Sequence, residues 1–151
     1  MAKTYRVPVT QTLQSIVQSF VNADGAVGTT LTTAPSNTKL LFTAGSEGAV
    51  VKSLMVASDD SSARVFVLYV SPDSGTTFYC IGTVNIPVNS GATGAIANID
   101  LFGSSVLLGL QYDQSGKAVL PLEASHRLYG GVQVAVTAAK TIVVTGVAED
   151  Y

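Results

Sequence analysis

"RVFVLYVSPDSGTTFYCIGTVNI", residues 64–86, decides the fold. Two apolar runs flank Ser71-Pro72-Asp73-Ser74-Gly75, where proline presets φ for a turn, aspartate bonds its own backbone and glycine accepts positive φ. That is a hairpin signal with a mechanism. In the first run Val65, Val67 and Tyr69 share one face and Phe66, Leu68 and Val70 the other, so both faces are apolar. A strand of this kind is central, and its second face must be covered either by a loop of its own domain or by another chain.

Reading outward, further strand patterns fall at 28–33, 39–44, 49–57, 77–86, 118–122, 128–137 and 141–148, which with 64–71 makes eight. Clusters of Gly, Pro, Asn, Asp and Ser separate them, such as "ASDDSS" (57–62) and "DQSG" (113–116). Short strands at this spacing predict an antiparallel sandwich or barrel rather than βαβ units. In "LLFTAGSEGAVVKSLMVAS", residues 40–58, Thr43 to Gly48 form the turn between two such strands. Val132, Val134 and Val136 alternate with Gln133 and Ala135, as a half-buried strand should.

Two stretches compete for helix. Leu13, Ile16, Val17 and Phe20 fall at i, i+3, i+4 and i+7, while Thr12, Ser15 and Ser19 lower helix propensity, so strand and helix both stay open there. Ile96, Ile99 and Phe102 fit a short helix ending at Gly103. The expected layout is an arm over residues 1–20 and one domain over 21–151.

Charged residues are 12% of the chain and the net charge is −2, so Ser and Thr must cover much of the surface. Weak self-repulsion permits assembly. No basic stripe offers itself to nucleic acid, and no apolar run approaches the roughly 20 residues that cross a bilayer. The N-terminus "MAKTYRVPVT" lacks a secretory apolar core, which predicts a protein made in the cytoplasm. A single cysteine, Cys80, rules out an intrachain disulfide.

Catalytic patterns are thin. His126 is the only histidine; recruiting Ser125 or Ser104 with Asp100 has no support in the spacing. "GSSVLLG" (103–109) fails as a nucleophile elbow because Leu107 stands where glycine is required. Asp59-Asp60 lacks calcium-loop spacing and reads as a solvated turn, and one Cys with one His cannot make a zinc site. "GAVG" (25–28) and "GSEG" (45–48) have no following Lys-Ser/Thr to bind phosphate. In "FYCIG" Cys80 reads as a small core hydrophobe. These features predict no cofactor, no metal and no enzyme.

Several elements then come in a particular order: Phe42-Thr43-Ala44-Gly45, Gly48, the Phe78-Tyr79 hairpin, Leu120-Pro121-Leu122 and a terminal Asp150-Tyr151. In that order, over most of 21–151, the chain resembles structural proteins of tailed-phage virions, notably capsid cement or decoration proteins with a jelly-roll fold. The resemblance implies a homo-oligomer, dimer or trimer, that binds the major capsid protein on the outer surface of the head and braces it. Residues 1–20 match nothing in it. Tyr5, Val7, Val9, Leu13, Ile16 and Phe20 are the arm's apolar anchors for a neighbour, and Phe66 and Tyr129 are further interface candidates. A second reading is a carbohydrate-binding tail or fibre module using Tyr112-Asp113 and Tyr129; a third, an esterase-like enzyme, would need His126.

Overall fold

The computed structural model describes residues 12–28, 35–103 and 107–151, and within them the chain is a β-sandwich of two antiparallel sheets. One sheet runs in the order β1 (Thr12–Val21), β10 (Thr141–Asp150), β3 (Ala49–Ser58), β8 (Ala118–Leu122), β7 (Gln111–Tyr112), with the short β6 (Ile99–Asp100) beside the end of β3. The other runs β2 (Lys39–Thr43), β9 (Arg127–Val132), β4 (Arg64–Ser71), β5 (Tyr79–Ile86). The pairings are nested. β1 pairs with β10, β2 with β9, β3 with β8 and β4 with β5, so the chain forms one long antiparallel ribbon whose closed end is the 64–86 hairpin. Successive pairs along the ribbon fall in opposite sheets, which brings their apolar faces together.

The stripe at Leu13–Phe20 resolves as strand. Ile16 and Phe20 point into the core while Leu13 and Val17, from the same helical stripe, point to solvent. Period two wins over period 3.6 because all ten residues pair with β10, and Thr, Ser and Val give a helix little to compete with. Residues 12–20 are therefore part of the sandwich rather than of a separate arm. Two other expectations change. The strand at 128–137 stops at Val132: Val136 is buried again, but Val134 turns outward. No helix forms over the described part of 94–109; Ile99 and Asp100 pair with Val56 and Met55, and the Asp100 carboxylate accepts the Phe102 amide at 2.9 Å. Among the described residues the only helical turn is a 3-10 turn at Asn22–Asp24. Of the expected strand at 28–33, all but Gly28 lies outside the described residues, and Gly28 sits in a turn.

The core fills the space between the sheets. Phe20 from the first sheet meets Phe66 from the second edge to face, ring centroids 5.2 Å apart, a geometry that aromatic quadrupoles favour. A bulge in β3 decides which residues join them. Val147 pairs with Ser53 but Ala148 with Val51, leaving Lys52 as the extra residue. The strand's parity flips at that point, so Ala49 and Val51 before it, and Leu54 and Val56 after it, all face inward.

The second face of β4 is covered by the protein's own loops. Val67 and Tyr69 pack with Val27 and Phe78 in a smaller buried cluster, against which Cys80 and Tyr129 lean. The sequence leaves two covers possible for this face, and the loop is the one found. Two adjacent glycines serve the two layers. A Cβ on Gly130 would lie 2.5 Å from the Phe66 ring, and one on Gly131 would lie 2.3 Å from Val27. Gly130→Ala is expected to lose about 1–3 kcal/mol through overpacking against a ring that Phe20 already holds; a denaturant-unfolding midpoint equal to that of the native chain would contradict it.

Candidate interaction surface

The outward face of the first sheet follows from the register. Three rows cross it: Ser19, Val143 and Ala57; Val17, Thr145 and Met55; Ser15, Val147 and Ser53. Leu13 and Val21 extend the β1 column at either end. None of these eleven side chains carries charge, so water is held there only by Ser and Thr hydroxyls. Leu13 is 67% exposed and Val17 71%, a large apolar surface for a strand of a stable domain. Charge begins only at the rim, where Lys52 pairs with Glu149 at 2.9 Å, a contact that raises the lysine's pKa.

β1 is also a sheet edge. Alternate residues of a strand turn both backbone groups to the same side. Near its C-terminal end three outward groups are occupied: Lys39 Nζ donates to the Ser19 carbonyl at 2.8 Å, the Ser19 amide donates to Gln18 Oε1 at 3.1 Å, and the Val21 amide donates to Asp24 at 2.7 Å. The residues of the same parity before them, Leu13, Ser15 and Val17, have no partner for these groups among the described residues.

Of the expected anchors that fall among the described residues, only Leu13 lies on this surface. Ile16, Phe20 and Phe66 are 1%, 1% and 0% exposed and packed in the chain's own core, so they have nothing left to offer a neighbour. Tyr129 is half buried, its ring 4.8 Å from Phe78, and serves the second cluster. Tyr5, Val7 and Val9 lie outside the described residues. Sequence reading missed Val17, Val143, Thr145 and Val147 as surface residues; period two over 12–21, free of charge throughout, is the signal that marks the β1 column.

The polar groups that drew attention in the sequence are committed to structure. Asp60, expected in solvent, is fully buried, and its carboxylate accepts from Arg64 Nε at 2.7 Å, the Thr137 hydroxyl at 2.6 Å and the amides of Thr137 and Ser62 at 3.0 Å. Burial raises its pKa, but Arg64, Thr137 and the amides outweigh that and hold it well below the usual carboxylate range. Asp59 accepts the Thr141 amide at 2.6 Å. Together they lock the β3–β4 turn to the segment entering β10. In the hairpin turn, the Thr77 hydroxyl at 2.6 Å and its amide at 2.7 Å hold the Asp73 pKa down at about 2.

His126 lies 3.7 Å from the exposed Glu123, and its carbonyl accepts the Ala44 amide at 2.9 Å. Asp100 pairs near the other end of β3 with Met55, so the two do not form a catalytic pair; Ser104 lies outside the described residues. Cys80, expected as a small core hydrophobe, is only partly buried and packs beside the second cluster. Among the described residues no group of three His, Cys, Asp or Glu side chains converges as metal ligands, and no helix is long and apolar enough to cross a membrane. A shallow cavity of about 240 Å³ is lined by Lys52, Asp100, Phe102, Tyr112 and Lys117. Compared with known protein families, curated proteins and solved structures, the chain matches none of them.

The Asp60 network makes stability depend on acid. A depressed folded pKa contributes stability that is complete above the unfolded value of 3.8 and is lost as pH falls through the folded one. Asp60→Ala is expected to cost about 3 kcal/mol at neutral pH, the lower end for a broken buried pair because Arg64 still reaches solvent. Its unfolding free energy should also vary less below pH 4 than the native chain's; parallel pH profiles from chemical denaturation would contradict this.

Proposed function

We propose that this chain is a non-enzymatic virion structural protein that binds the major capsid protein shell on the outside of a phage head and cements it. The observation that carries the reading is the uncharged face of three strands, Leu13 through Val21, Val143 to Val147 and Ser53 to Ala57, on a domain whose buried polar groups are spent on its own loops. Such a face loses little on desolvation and gains from burial, at about 25 cal/mol per Å² of apolar area. A contact of roughly 1,200–2,000 Å² is then sufficient for specific attachment, and several copies acting together add avidity.

The resemblance of the ordered elements Phe42–Gly45, Phe78-Tyr79, Leu120–Leu122 and Asp150-Tyr151 to phage cement proteins supports the virion reading. The nested strand order supports the jelly-roll form of the sandwich, an arrangement used by viral coat domains. The partners are the major capsid protein and further copies of this chain; no cofactor, nucleic acid or membrane takes part. The chain is made in the host cytoplasm and carried on the capsid exterior.

A second reading, a carbohydrate-binding tail or fibre module, draws on the cavity beside Tyr112, where Lys52, Asp100 and Lys117 supply donors and acceptors around an aromatic ring. A glycan array separates the two, since cementing needs no sugar.

Added to heads that lack it, the protein is expected to bind to saturation and raise the temperature at which the heads rupture. Because the face is uncharged, binding should change little between low and high salt. Thr145→Lys, in the middle of the face, should weaken it at least about tenfold, roughly 1.4 kcal/mol, by burying an unpaired charge. Absence of binding in a sedimentation assay, or binding that Thr145→Lys leaves intact, would count against the reading.

A further inference from the structure

We propose that the open half of the β1 edge pairs with the same edge of a second copy, joining the first sheets of two protomers into one continuous sheet around a two-fold axis at Ser15. This deepens the homo-oligomeric part of the proposed function, and its test does not involve a capsid. β1 is ten residues long, forms a regular ladder with β10 over its full length, and contains no Lys, Arg, Asp, Glu or Pro. Natural edges are protected by charge, proline, bulges, short length or a covering loop or helix, and among the described residues this one has none of these between Thr12 and Gln18.

The occupied groups fix the register. Because Lys39 and Gln18 take both outward groups of Ser19 and Asp24 takes the Val21 amide, Leu13, Ser15 and Val17 are the residues of this parity that keep both groups free of partners among the described residues. An antiparallel pair that uses these three and no others places Leu13 against Val17 of the second copy, Ser15 against Ser15, and Val17 against Leu13. Each residue then exchanges both backbone hydrogen bonds with its opposite number, and the contact repeats itself as an isologous dimer requires. The side chains agree with this register. Leu13 and Val17 are the two most exposed aliphatic residues on β1 and become cross-strand neighbours on the same face, with a hydroxyl against a hydroxyl between them. With no charged residue in 12–21, nothing on the strand repels its copy. A strand from a different protein could meet the backbone requirement, but it would have no reason to match Leu13 and Val17 in this mirrored spacing; the second copy matches by symmetry.

The full chain is expected to run at twice its 15.5 kDa mass in native mass spectrometry and in light scattering. Ser15→Lys sets two like charges opposite each other on the axis and should shift the protein to monomer with unchanged circular dichroism. Directly opposed, hydrogen-bonded residues have Cα atoms about 5.5 Å apart, within disulfide range. Ser15→Cys in a Cys80→Ser background should therefore form a covalent dimer under mild oxidation, and Ser19→Cys in the same background should not. A monomeric native chain overturns the proposal, as does a dimer that survives Ser15→Lys or fails to cross-link through position 15. Should Ser15→Lys not fold, the cross-linking pair decides alone. Dimerisation through β1 together with failure to bind heads would leave this pairing standing and remove the capsid reading.

Discussion

Strand β4 needs cover on both faces, and much of the architecture answers to that constraint. Phe66 and Leu68 on one side require the opposite sheet, which delivers Phe20 to the Phe66 ring. Val67 and Tyr69 on the other require a second layer, which Val27 and the hairpin's own Phe78 supply. The paired strand β9 must pass between these layers without obstructing either, and Gly130 and Gly131 remove the two side chains that would collide with Phe66 and Val27. Asp73, bonded by the Thr76 and Thr77 amides, shapes the turn that carries Phe78 over.

The strand-rich fold was legible because its signals were local. Turn chemistry at 71–75, period two at 64–70 and breaks at regular spacing each act over a few residues, and the observed bounds of β3, β4, β8 and β10 stay close to the expected ones. What was not legible depended on distant partners. Residues 12–21 satisfy a helical and a strand period at once, and only pairing with β10, more than a hundred residues away, chooses between them. The β3 bulge is set by where Val147 and Ala148 fall, so its parity change at Lys52 has no mark in the strand itself. Asp60 read as a turn aspartate because Arg64 and Thr137 reach it only in the folded chain. The same cause misdirected the interface candidates: Phe20 and Phe66 look adhesive in sequence, but the strongest apolar residues are the first a core takes.

The charges that exist are placed where they serve structure or rim. Asp60 and Arg64 hold a turn, Lys39 and Asp24 close one end of the β1 edge, and Lys52 and Glu149 bound the outer face. The remaining face and the open edge are adjacent and share Leu13, Ser15 and Val17, so pairing at the edge would enlarge the face rather than compete with it. A two-fold extension would present two uncharged faces side by side on one continuous sheet. That geometry would suit the adhesion to a repeating surface proposed above.

The measurement that bears most directly on this account is the position and orientation of the chain in a particle reconstruction. Copies are expected arrayed across the outer surface of the head, with the Val17–Thr145–Met55 row turned toward the major capsid protein. Copies confined to the tail, or a lattice in which that row faces solvent and the opposite sheet meets the shell, would contradict it.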